Sequence, residues 1–171
     1  MALTFVSIAT VTVGSGGASN IEFTSIPGTY TDLVVLISMR TNRSGAIGDN
    51  ISLTYNNNTS SRSDVRLFAD GSSPASFTDS ALYAGIATAN SATASTFGNT
   101  VIYIPNYAGS NNKSSSSDGV AENNGTTTSM NLGAELWSNT SAITSLKLES
   151  RYSATIQQYS TATLYGIKNT V

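Results

Sequence analysis

Few residues in this 171-residue chain could carry chemistry, because it contains neither histidine nor cysteine. Without histidine there is no ordinary general base near neutrality. Without cysteine there is no thiolate nucleophile, disulfide or sulfur-ligated metal. A serine nucleophile would then need a lysine, and Ser110-Asn111-Asn112-Lys113 has the S-x-x-K spacing. That pairing works where the serine opens a helix and the lysine lies one turn on in a buried pocket. Here it sits in a stretch rich in Asn and Ser with no helical pattern, in a chain with 28 serines. The match is read as coincidence, and no catalytic residue is assigned.

Carboxylates are the second possibility, since a glycosidase needs only two acids at a suitable separation. The candidates are Asp118, Glu122, Glu135 and Glu149. Glu135 lies between Ala134 and Leu136, and Glu149 alternates with Leu148, so both are expected at solvent-facing strand positions. Nothing in the sequence draws two of the four together. Metal binding reduces to oxygen ligands, and Asp64, Asp70 and Asp79 are too scattered for a calcium loop. Asp70-Gly71 and Asp118-Gly119 read better as turns. Neither G-x-x-x-x-G-K-[ST] nor G-x-G-x-x-G occurs, and Gly14-Ser15-Gly16-Gly17 leads into another strand, not into a helix that would hold phosphate. No cofactor and no metal is expected.

Eight Tyr, five Phe and Trp137 raise the idea of stacking on sugars or bases. Phe5, Phe23, Tyr55 and Tyr103 are instead expected in the core. Trp137 breaks the parity of Leu132, Ala134 and Leu136, which predicts that it points away from the inner face of its strand. Arg40, Arg43, Arg62 and Arg66 fall in or near loops, where they would pair with a partner's carboxylates, pair with nearby Asp residues, or stay solvated.

Eight basic against ten acidic residues leave a net charge of −2, and only 11% of the chain is charged. Polarity comes from 28 Ser, 23 Thr and 16 Asn. Such a surface has no electrostatic footprint for nucleic acid or an anionic membrane. The seven Asn-x-Ser/Thr sequons follow from this composition and are not read as glycosylation sites. The first ten residues hold no basic segment and no unbroken apolar stretch, and the longest apolar run, 33–37, is too short to cross a bilayer. Synthesis in the cytoplasm is expected, with a role outside the cell after lysis left open. Uncharged surfaces are cheap to desolvate, so assembly is the function this composition supports best.

The elements follow a period of two. Strands are expected over residues 3–13, 21–26, 30–40, 50–55, 64–69, 96–107, 126–138, 143–151 and 160–168. The run 33–37 suggests a strand covered on both faces. Pro27-Gly28 suits a type II turn. Residues 80–94 read as a short helix or as strand and loop, and 110–118 as a mobile loop or a solvent-facing edge strand. Eight to ten strands without an amphipathic helix predict an all-β, two-sheet antiparallel sandwich of the jelly-roll type, with residues 1–171 as one domain. An immunoglobulin-like sandwich is the alternative, but it lacks its Cys…Trp…Cys framework here.

Two stretches carry a family resemblance. Ile21-Glu22-Phe23-Thr24-Ser25-Ile26-Pro27-Gly28-Thr29-Tyr30-Thr31-Asp32-Leu33-Val34-Val35 resembles a block in small virion proteins of tailed bacteriophages, cyanophages among them. Tyr159-Ser160-Thr161-Ala162-Thr163-Leu164-Tyr165-Gly166-Ile167-Lys168 resembles the final strand of the same group. Its members are similar to jelly-roll proteins that cement and decorate the capsid or form part of tail fibres. Neither block carries catalytic residues. The resemblance implies a non-enzymatic capsid cement or decoration protein on the phage head, a homotrimer that binds the major capsid protein. The alternatives are a tail-fibre module recognising host-surface carbohydrate and, third, a polysaccharide-cleaving enzyme using Glu135 or Glu149.

Overall fold

The computed structural model describes residues 3–125 and 129–169. Within them the chain forms β1 (Leu3–Thr12), β2 (Asn20–Phe23), β3 (Asp32–Met39), β4 (Gly48–Tyr55), β5 (Arg62–Ala69) and β6 (Ala75–Asp79). It continues through β7 (Leu82–Thr88), β8 (Gly98–Ile104), β9 (Lys113–Ala121), β10 (Ser129–Trp137), β11 (Leu146–Ser150) and β12 (Thr161–Asn169). No helix forms among the described residues. The first part of the expected strand 126–138, residues 126–128, lies outside them. Turn chemistry sets several boundaries. Gly17 N donates to Gly14 O at 3.0 Å after β1, and Ser72 N donates to Asp70 Oδ1 at 2.9 Å after β5. At the Pro27-Gly28 turn it is Ser25, with φ of 54°, that takes the left-handed conformation, so the expected type II turn does not form.

The strands make two antiparallel sheets. The large one runs β1-β12-β3-β8-β9-β10-β5-β6 and the small one β2-β11-β4-β7. Between β2 and β5, and again from β6 to β8, each successive strand lies in the other sheet. That is the winding of a jelly roll. The order β1-β12-β3-β8 lies opposite β2-β11-β4-β7 as a four-on-four core, and β9, β10, β5 and β6 extend the large sheet beyond β8. The sandwich is therefore as expected, but the described residues form twelve strands where eight to ten were expected. Residues 80–94 supply β7 and not a helix. Residues 110–118 supply most of β9, which is neither loop nor edge but a central strand between β8 and β10.

The core lies between the sheets. Leu33, Val35, Ile37 and Met39 of β3, Ile102 and Ile104 of β8, and Ala162 and Leu164 of β12 face Ile21 and Phe23 of β2, Ile51, Leu53 and Tyr55 of β4, and Leu146 and Leu148 of β11. On the other face of β3 Val34 is buried as well, while Leu36 is exposed, so the run is covered on both faces at its start and on one face beyond it. β7 is buried along its whole length because it presses onto the inner side of β8, β9 and β10. Glycine makes that approach possible. At Gly85, where φ is 142°, a Cβ would lie 2.3 Å from Thr100 Oγ1.

Candidate functional site

The inner face of β5, β9 and β10 is polar. From β10 it presents Asn131, Gly133, Glu135 and Trp137, and from β9 it presents Lys113, Ser115, Ser117 and Gly119. This parity is opposite to the expected one. Glu135 is buried, not solvent-facing, and Trp137 points into the core, where its ring packs against Tyr55 at 5.8 Å. Crowding is the physical reason. A Cβ on Gly133 would fall 2.3 Å from Ser117 Oγ, and one on Gly119 would fall 2.7 Å from Thr100 Oγ1. There is no room for a leucine at 119 or 133, so glycine faces inward there and the leucines of β10 turn out, while Trp137 on the same inner face reaches the core beside Tyr55.

Asp64 of β5 stands directly opposite Glu135, and Asp79 of β6 directly opposite Asp64. Ser117 Oγ donates to Glu135 Oε1 at 2.7 Å, while Glu135 Oε2 and both Asp64 oxygens are buried without a partner. Burial, aided by the nearby Asp64 charge and opposed by the serine hydroxyls, pushes the Glu135 carboxyl up to about 7. Burial also raises Asp64, against the opposing pull of Arg66. Arg66 stacks over Tyr83 at 4.7 Å and Phe77 at 5.3 Å. Asp79 is drawn off by Arg151, an ion pair that ties the edge strand β6 to the loop after β11. Asp64 and Glu135 are the two acids the fold brings together, and they are sealed from solvent. The surface cavities near Leu132 and near Tyr152 are lined by neither.

The other candidates are dispersed. Asp118 is exposed on the outer face of the large sheet. Glu149 pairs with Lys147 at 3.2 Å on the outer face of the small sheet. Glu122 Oε1 accepts from Asn123 N and Asn124 N and shapes a turn. Asp70 holds the turn after β5. No group of three acids able to hold a metal exists among the described residues. Lys113 is buried, with its Nζ donating to the carbonyls of Gly109 and Asn111, and Ser110 is exposed in a turn, so the S-x-x-K stretch is not helical. The arginines are absorbed internally. Arg40 reaches the carbonyls of Ala92, Thr93 and Thr96. Arg43 donates to Gly48 O and lies 3.5 Å over the Tyr152 ring, and Arg62 donates to Thr59 O and Leu53 O.

What the inward turn of polar residues leaves outside is an apolar sheet face. One cross-strand row runs Leu67, Leu132, Asp118, Val101, Leu36, Thr163 and Thr10 from β5 to β1. A second runs Val65, Ala134, Ser116, Tyr103, Val34 and Tyr165. Leu67 is 59% exposed, Leu132 55%, Met130 55% and Val65 52%. Two of the aromatics expected inside are out here: Tyr103 lies on this face, and so does Phe5, whose ring meets Tyr165 edge-on. Phe23 and Tyr55 are in the core as expected. The strands of this face carry no Lys or Arg on it. Of its two acids, Asp32 is held by the Tyr103 hydroxyl and Asn106 N, each at 2.9 Å, which leaves Asp118. The sequence did contain a signal for this face: Gly98, Gly119 and Gly133 each sit between larger residues inside strands, a pattern of close backbone approach.

No family model matches the chain, and neither does any curated protein or solved structure.

Proposed function

We propose that the chain is a structural protein of a bacteriophage virion, a capsid cement or decoration protein that binds the major capsid protein as a symmetric homotrimer. One observation carries the reading: a sheet face without cations on which Phe5, Leu36, Val65, Leu67, Val101, Tyr103, Met130, Leu132 and Leu136 are all exposed. Such a face serves contact, not catalysis. The two blocks that resemble phage virion proteins supply the context: they cover β2, at the edge of the small sheet, the first half of β3, and β12, which pairs with β3. A surface of Ser, Thr and Asn would meet the shell through many weak hydrogen bonds, and symmetry would add them by multivalency. The test is co-sedimentation of the purified protein with phage heads that lack it, imaged by cryo-electron microscopy. Density at capsomer junctions is expected. Heads that stay bare overturn the reading.

A second reading, a tail-fibre module for host carbohydrate, is favoured by a separate feature. At one open end of the sandwich Arg43, Arg66, Phe77, Asn131 and Tyr152 surround a cavity of about 360 Å³. Guanidinium groups and aromatic rings together suit an acidic sugar. Binding of uronate-bearing oligosaccharides that is lost in Tyr152→Ala would establish it, and unchanged titrations would remove it.

A further inference from the structure

The outer face of the large sheet has the size, chemistry and relief of an interface with its own kind. Eight strands span roughly 38 Å across, and about six residues of each span roughly 20 Å along, giving a footprint on the order of 800 Å². A stable protein–protein interface buries about 800 Å² on each partner.

The relief is self-complementary. Leu67, Pro74, Met130 and Leu132 line a hollow of about 410 Å³, and Val101, Tyr103 and Leu132 line a neighbouring one of about 360 Å³. Leu132 is the ridge between them. A surface that carries both a projecting side chain and the apolar hollow to receive it meets the requirement of an isologous contact, in which the same patch serves both partners. Charge points the same way. A partner recognised electrostatically would need charges to meet, and this face offers only Asp118. Hydroxyls of Ser114, Ser116 and Thr163 lie on the same face and would stand as donors for the Asp118 carboxylate of the opposing copy.

We infer that this face buries against a second copy of the same chain, with Leu132 of each copy seated between Leu67 and Met130 of the other. A two-fold contact of this kind joins copies in pairs and is not the contact that closes a trimer, so the inference goes beyond the assembly reading above and stands apart from it.

Sedimentation velocity over a concentration series tests it. The wild type is expected to sediment as an oligomer of 17.7 kDa protomers. Leu132→Asp should sediment as a monomer with unchanged circular dichroism, because the side chain is largely exposed, and its melting temperature should lose the concentration dependence that association gives the wild type. Asp118→Ala should weaken association, roughly fivefold, by leaving the hydroxyls of the opposing copy without their acceptor. The chain has no cysteine, so Leu132→Cys gives a unique thiol whose maleimide labelling should slow about tenfold as concentration rises, with Thr59→Cys unaffected. A wild type that stays monomeric at about 100 μM, or an oligomer that Leu132→Asp leaves intact, overturns the inference. If Leu132→Asp dissolves the oligomer but the wild type ignores phage heads, the interface stands and the capsid reading falls.

Discussion

Replacing Glu135 by glutamine should stabilise the protein above neutral pH and change little in acid. The carboxyl is buried opposite Asp64, one oxygen takes the Ser117 hydroxyl, and the other has no partner. Its proton is held up to a pH of about 7, against an ordinary value of 4.5. Between these values the folded chain keeps a proton that the unfolded chain has released. The contribution to stability is therefore intact below about pH 4.5, declines as pH rises, and is gone above about pH 7. A separation of about 2.5 pH units at 1.36 kcal/mol each amounts to about 3 kcal/mol. Glutamine keeps the acceptor for Ser117, cannot ionise, and offers Asp64 an amide donor. Trp137 is the sole tryptophan, is buried two residues away, and reports unfolding by fluorescence. In urea titrations at pH 8 the variant should exceed the wild type by about 2–3 kcal/mol, and at pH 4.5 the two should agree within about 1 kcal/mol. Parallel stability–pH curves for the two proteins would refute the argument, because they would mean that the Glu135 proton is not linked to folding.

Two further substitutions probe the packing that turns β10 over. Gly85→Ala drives a methyl against Thr100 Oγ1 and demands a backbone conformation that alanine avoids, so a loss of about 3 kcal/mol or more is expected in thermal melts, partly restored by Thr100→Ser; a neutral result would mean that β7 does not press on β8 as described. Arg40→Lys keeps the charge but loses the fork that ties Ala92, Thr93 and Thr96, so hydrogen exchange in the β7–β8 loop should rise with a stability loss of about 1–2 kcal/mol, and unchanged protection there would contradict the role assigned to the guanidinium.

Some of this architecture was written plainly in the chain. Clean alternation at Ile51, Leu53 and Tyr55, and at Leu146 and Leu148 against Lys147 and Glu149, places β4 and β11 correctly, because each is covered by the core on one side alone. The β9 stretch was harder, because Ser114-Ser115-Ser116-Ser117 has no apolar residue to mark a face. Its place in mid-sheet follows from pairing with β8 and β10, a contact between residues far apart in the sequence. For β10 the pattern pointed the wrong way. Met130, Leu132, Ala134 and Leu136 look like a buried set, and by local hydrophobicity they should be one.

Residue types and their period alone determined that the protein would be an all-β sandwich with turns at Gly14-Ser15-Gly16-Gly17 and Asp70-Gly71, although Asp118-Gly119, read as a turn, lies inside β9. They also excluded histidine and thiol chemistry outright. Those properties depend on residue type and on a local period of two. Which face of each strand meets the core depended on volume, and volume is settled only when strands from both sheets meet. The tertiary structure placed β7 so close to β8, β9 and β10 that glycine and serine had to turn inward. That one steric constraint sealed Asp64 and Glu135 together in the interior, and left the leucines outside on the face where a partner would bind.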